Sequence, residues 1–171
     1  GIEPQDSASI KDFSGNPMDA AATRRDSLNS FPRIIDSTLS DENSYVQLIL
    51  SEEIFNLSNG PLSSSDFIID EFDQNVPDSG NAEDAIISSI TDVNNNLLTT
   101  GEDTIRLGIN LMNPPASGVE EFKIRPLTDF SIINEIGNAL EISSSSRTFF
   151  LNDRFPPYIY PITTTINDTI I

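Results

Sequence analysis

The 171-residue chain contains no cysteine, no histidine and no tryptophan. Without cysteine there is no disulfide framework and no thiolate nucleophile; without histidine the commonest general base is missing. Serine and cysteine triads are therefore closed to this chain, and so is a zinc site built on imidazole or thiolate. Only two lysines occur, Lys11 and Lys123, and neither lies in a serine motif that a Ser-Lys pair would need. Basic residues are scarce altogether: nine Lys and Arg stand against 27 Asp and Glu, a formal charge of −18. Such a surface repels phosphate backbones and anionic lipid heads, which argues against nucleic acid and membrane surfaces as partners. No apolar run is long enough to span a bilayer, so no membrane insertion is expected in this segment. The opening Gly1-Ile2-Glu3-Pro4 has no basic stretch followed by an apolar one, so any export signal is expected outside this sequence.

What the sequence does hold is a copy of part of itself. Ser9-Ile10-Lys11-Asp12-Phe13-Ser14-Gly15-Asn16-Pro17-Met18-Asp19 returns as Ser131-Ile132-Ile133-Asn134-Glu135-Ile136-Gly137-Asn138-Ala139-Leu140-Glu141, offset by 122 residues. Phe31-Pro32-Arg33-Ile34-Ile35 returns as Phe155-Pro156-Pro157-Tyr158-Ile159, offset by 124, and Asn43-Ser44-Tyr45-Val46 meets Asn167-Asp168-Thr169-Ile170. A long fixed period marks an array of similar units. The expected organisation is the C-terminal part of one unit over 1–30, a complete unit over 31–154, and the linker and first strand of a third over 155–171. Phe31-Pro32-Arg33 reads as a linker, because proline stiffens a joint and withholds a backbone donor.

Within the complete unit, period-two alternation bounded by turn residues predicts strands over 33–39, 44–51, 66–72, 85–92, 104–111, 119–126 and 147–152. The fifth is the clearest, since Ile105, Leu107, Ile109 and Leu111 alternate with polar residues or glycine. The sixth turns Phe122 and Ile124 inward and Lys123 and Arg125 outward. The stretch around Gly137-Asn138 reads as irregular, and no segment has a helical period. About seven strands with polar turns predict an all-β, antiparallel, Ig-like sandwich.

Ser40-Asp41-Glu42-Asn43-Ser44-Tyr45-Val46-Gln47-Leu48-Ile49-Leu50-Ser51-Glu52-Glu53-Ile54-Phe55 resembles the opening of bacterial Ig-like repeats that read DNSYVxLTFSExVY. Leu62-Ser63-Ser64-Ser65-Asp66-Phe67 is similar to their LxxSDF element, and Ser131 to Leu140 to their SIYDxAGNAL element, although Asn134 stands where the pattern has Asp. Phe155-Pro156-Pro157 resembles their proline joint. The resemblance is to tandem repeats of large Bacteroidetes surface adhesins, including gliding-motility adhesins of the SprB type. It implies a non-catalytic stalk or adhesive module of a long secreted or cell-surface protein, at the bacterial surface. The implied partners are adjacent repeats of the same polypeptide, with surface glycans or proteins met at a distal tip. The alternatives are a self-assembling filament or surface-layer subunit that uses its terminal strands for strand addition, and an accessory module of a secreted hydrolase.

Three kinds of chemistry remain to be weighed. The carboxylate pairs Glu52-Glu53 and Glu120-Glu121 suggest glycoside hydrolysis, but neighbours on a strand point to opposite faces. Carboxylate and amide oxygens suit Ca²⁺. If strands run up and down between two poles, Glu52, Glu53, Asp92 and Asp129 gather toward the preceding unit, and Asp41, Asp73, Asn152 and Asp153 toward the next. Glu52, Glu53, Asp129 and Asp153 are thus the candidate calcium ligands at the joints between repeats. Finally, Asp-Ser/Thr triplets resembling a Bacteroidetes O-glycosylation sequon occur five times, at Ser7, Ser27, Ser37, Thr104 and Thr169. The same triplets are ordinary Asx-turn chemistry at strand starts.

Overall fold

The computed structural model describes residues 31–73 and 82–157. These form eight antiparallel strands: β1 (Ile34–Leu39), β2 (Tyr45–Asn56), β3 (Phe67–Asp73), β4 (Asp84–Thr91), β5 (Glu102–Met112), β6 (Glu121–Pro126), β7 (Ile132–Asn134) and β8 (Phe149–Phe150). One sheet runs β1-β2-β5-β4, with β7 also paired to β2; the other runs β3-β6-β8. With β7 set aside, this is the strand order of a constant-type immunoglobulin sandwich. The single helical piece among the described residues is a 3-10 turn, Ser64–Asp66.

Alternation along the strands builds the core. Val46, Leu48, Leu50 and Ile54 of β2 turn inward, as do Ile105, Leu107 and Ile109 of β5 and Phe122 and Ile124 of β6. The Phe122 ring lies 5.4 Å from that of Phe149 and stacks on Phe72 at 6.4 Å, centroid to centroid. No disulfide is available to join the sheets, so this aromatic cluster and its aliphatic neighbours hold them together. Truncating a fully buried phenylalanine such as Phe122 to alanine costs about 3–5 kcal/mol.

The element reading holds for five of the seven expected strands and changes in three places. β2 does not stop at Ser51 but continues through Glu52 and Glu53 to Asn56, where it pairs with β7 instead of β1. β7 itself lies just before the stretch read as irregular. The last strand is shorter than 147–152, with Phe149 and Phe150 alone paired to β6. Two bulges keep apolar residues inward where strict alternation would turn them out. One in β4, between Ile87 and Ser89, restores Ile90 to the core. The other in β3, between Asp70 and Asp73, is carried by Glu71 at φ 53 and returns Phe72 inward.

Phe31-Pro32-Arg33 is not a free linker. Pro32 is among the fully buried side chains. The Arg33 N–H donates to Ser51 Oγ, and its carbonyl accepts the Ser51 N–H. The joint residues therefore belong to the module that follows them.

The chain enters and leaves at opposite ends of the sandwich. At the proximal end, Arg33 is bonded to Ser51 and the Ile34 N–H donates to Ser144 Oγ. At the distal end, Asn152 is bonded to Asn43 in the β1–β2 turn, and the Arg154 N–H donates to the Ala116 carbonyl. The register places these two ends at opposite limits of β1, whose Ile34 faces Leu50 and whose Leu39 faces Val46.

Candidate functional site

The repeated element Ser131–Glu141 becomes a small hairpin, in which Ile132, Asn134, Gly137, Asn138 and Leu140 each have a structural task. Ile132 is completely buried and pairs with Asn56. The Asn134 N–H donates to the Asn138 carbonyl, its own carbonyl accepts the Gly137 N–H, and its side-chain Oδ1 accepts the Asn138 N–H at 2.8 Å. Gly137, at φ 87, supplies the left-handed residue that closes the turn. Leu140 is completely buried and bonds back to the Ile132 carbonyl. Asn134 is itself 1% exposed, and its Nδ2 donates to Glu52 Oε2 at 2.9 Å. An aspartate there keeps the acceptor for the turn but loses the donor to Glu52.

The distal pole is built on two polar devices. Asn43, buried at φ 56, presents its carboxamide to the main chain of Asn152 as if it were a strand. Its Nδ2 donates to the Asn152 carbonyl and its Oδ1 accepts the Asn152 N–H, both at 2.8 Å. The second device is Glu120, whose side chain is wholly buried. Its carboxylate accepts the N–H groups of Ala82, Ser117 and Gly118 and the Ser117 hydroxyl, at 3.0–3.1 Å. Burial opposes its ionisation most strongly of any single effect. The hydrogen bonds from Ala82, its own backbone and Ser117 together outweigh that, and hold the carboxyl below the ordinary glutamate range. Arg154, ion-paired with Glu42, closes the same pole.

The acids singled out for calcium are dispersed. Glu52 faces Asn134, Glu53 is exposed on the opposite side of β2, and Asp129 Oδ1 accepts the Ile142 N–H. Asp153 lies at the distal end, where its Oδ1 accepts the Phe155 N–H. Asp92 folds onto its own turn, accepting N–H groups from Asn94 and Asn96. No group of three or more His, Cys, Asp or Glu among the described residues is placed to hold a metal ion. Of the carboxylate pairs, Glu120 is buried and Glu121 half-buried on the opposite face.

The glycosylation candidates also separate. Ser37 pairs with Leu48 and is 3% exposed, so its hydroxyl is closed to a glycosyl donor in the folded module, contrary to its reading as an acceptor. Thr104 is half-buried and donates its hydroxyl to Asp103. Ser7, Ser27 and Thr169 lie outside the described residues.

The tasks of Asn43 and Glu120 are barely legible in local sequence. Asn43 carries one readable signal, an asparagine in a turn, where left-handed backbone is tolerated. Glu120 carries none, because a buried acid looks like any other in a chain so rich in them. No helix among the described residues is long and apolar enough to cross a membrane. No family model, curated protein or solved structure matches the chain.

Proposed function

We propose that this chain carries a non-catalytic spacer module of a long, acidic, tandem-repeat protein exported to the bacterial surface, where it serves as part of an adhesin stalk or gliding filament. One observation supports the reading most: the chain enters the sandwich at one pole and leaves at the other, hydrogen-bonded at both. Modules joined in this way extend a filament rather than folding back on themselves. The recurrence of Phe31-Pro32 as Phe155-Pro156 fits the same pattern, one joint per period. Acidity suits it too, since like charge keeps neighbouring modules and filaments from adhering.

Antibody raised against the module tests location. Labelling of intact, unpermeabilised cells of the source organism is the expected result; labelling that needs permeabilised cells refutes export. Sedimentation of the isolated chain tests the assembly mode. A monomer at all concentrations is expected, whereas growth into polymers with concentration favours the strand-adding subunit instead.

A further inference from the structure

The two copies of the Phe-Pro pair fix how much chain separates one module from the next. Arg154 is the last residue tied to the distal pole, through its bond to Ala116 and its pairing with Glu42. Two residues later comes Pro156, the counterpart of Pro32, and Pro32 is fully buried in the module it opens. Phe155 is then the one residue between the last anchor of a module and the first buried residue of its successor. Its own freedom is small. Its N–H donates to Asp153 Oδ1, and a residue before proline is confined to extended backbone. Pro156 and Pro157 then fix two successive φ angles. At about 3.1 Å per residue of polyproline-like chain, roughly 6 Å separates the two anchors.

From this spacing we propose that successive modules abut as a stiff pair, the distal pole of one seated on the proximal pole of the next. This inference rests on the spacer reading and deepens it. The proximal pole has the shape for such a partner. Phe31, Pro32, Arg33, Glu141 and Ser144 line an open hollow of about 670 Å³ there, with polar and apolar surface mixed. Phe31 and Phe130 stand 52% and 70% exposed at this end. The Asp129–Ile142 and Ser144–Ile34 bonds tie the loops that carry these residues to the same pole. The occupant is the distal pole of a second copy of the unit, because a tether this short leaves it nowhere else to lie. Asn43 contributes at one remove. By gripping the Asn152 main chain it sets the direction in which the joint leaves the module.

The test uses the full chain lengthened by one period, Gly1–Ile159 continued by Asp36–Ile171, which keeps the natural Phe155-Pro156-Pro157 joint. Ser58→Cys, in the exposed turn between β2 and β3, is spin-labelled in both modules and the label-to-label distance distribution is measured. A matched chain carries a short flexible Gly/Ser insert after Arg154, and circular dichroism melting verifies that both modules fold in each chain. The natural joint is expected to give one peak about half as wide as that of the insert-bearing chain. Distributions of equal width, with both chains folded and monomeric, overturn the stiff joint and leave the spacer reading standing. Polymerisation of the lengthened chain overturns both.

Discussion

At the residue scale, Asn43 combines two properties that no other side chain supplies together. It tolerates left-handed backbone, and its carboxamide offers a donor and an acceptor spaced like those of a peptide group. Asn43→Ala loses both bonds to the Asn152 main chain and puts at φ 56 a residue without the short polar side chain that eases left-handed backbone. At about 1 kcal/mol per bond and about 1 kcal/mol for the backbone, the expected loss is about 3 kcal/mol. Urea denaturation measures it, and Asn43→Gly should lose less, because glycine adopts the same backbone freely. Glu120 gives a pH signature. Its carboxyl is held below the ordinary glutamate value in the folded module. Its contribution is therefore complete above the unfolded value near 4.5 and is lost as pH falls through the lower folded value. In Glu120→Gln, stability at pH 7 should drop by about 2 kcal/mol, since an amide N–H₂ faces donors that need an acceptor. The gap between the two proteins should narrow as urea midpoints are followed down to about pH 3. A constant gap would show that the carboxylate charge is immaterial.

At the element scale, β2 and β7 are the instructive pair. Glu52 and Glu53 look like the polar end of a strand, yet the strand runs on because Asn134 reaches across from β7 to Glu52. Asn134→Asp removes that donor and sets two carboxylates side by side. It should destabilise the module, and do so less in a Glu52→Gln background, where one of the two charges is gone. Equal destabilisation in both backgrounds would count against the contact. Gly101 tests a different kind of fit. A β-carbon there would lie 2.3–2.7 Å from three atoms of the Phe55 ring, so Gly101→Ala is expected to cost about 1–3 kcal/mol through overpacking. The cost should shrink in a Phe55→Ala background, and a double-mutant cycle measures the coupling. These elements also show what a sequence can and cannot disclose. β5 and β6 are readable because alternation is unbroken over their whole length. A sandwich follows from about seven short strands with polar turns, but its strand order does not. β7 is hidden because three residues cannot display a period. The bulges are hidden because Glu71 and Ser88 resemble ordinary surface positions until their neighbours in β6 and β5 are known. The polar devices at the distal pole depend on residues more than a hundred positions apart, or on one acid among many, and local pattern carries no trace of them.

At the scale of the whole molecule, charge dominates. A net charge of −18 on 171 residues means that folding gathers acids that the unfolded chain keeps apart. Raising monovalent salt from about 10 mM to about 0.5 M should therefore raise the melting temperature, by screening that repulsion. A midpoint that falls or stays fixed would mean that the described ion pairs, Lys123–Glu71, Arg125–Asp70 and Arg154–Glu42, outweigh the repulsion. These pairs are partly solvated, and pairs of that kind contribute little individually.

The opposed points of attachment also decide how the module answers a pull. Tension between Phe31 and Phe155 drags β1 lengthwise along β2, so that all their ladder bonds resist at once. β8 is loaded lengthwise in the same way but has only two paired residues, so the amide grip of Asn43 just beyond it must share the load. Once that grip fails, the 124 residues from Phe31 to Arg154 can pay out to at most roughly 450 Å. On the proposed spacer reading, a string of such units would give way one at a time, so an overstretched tether would lengthen before it snaps.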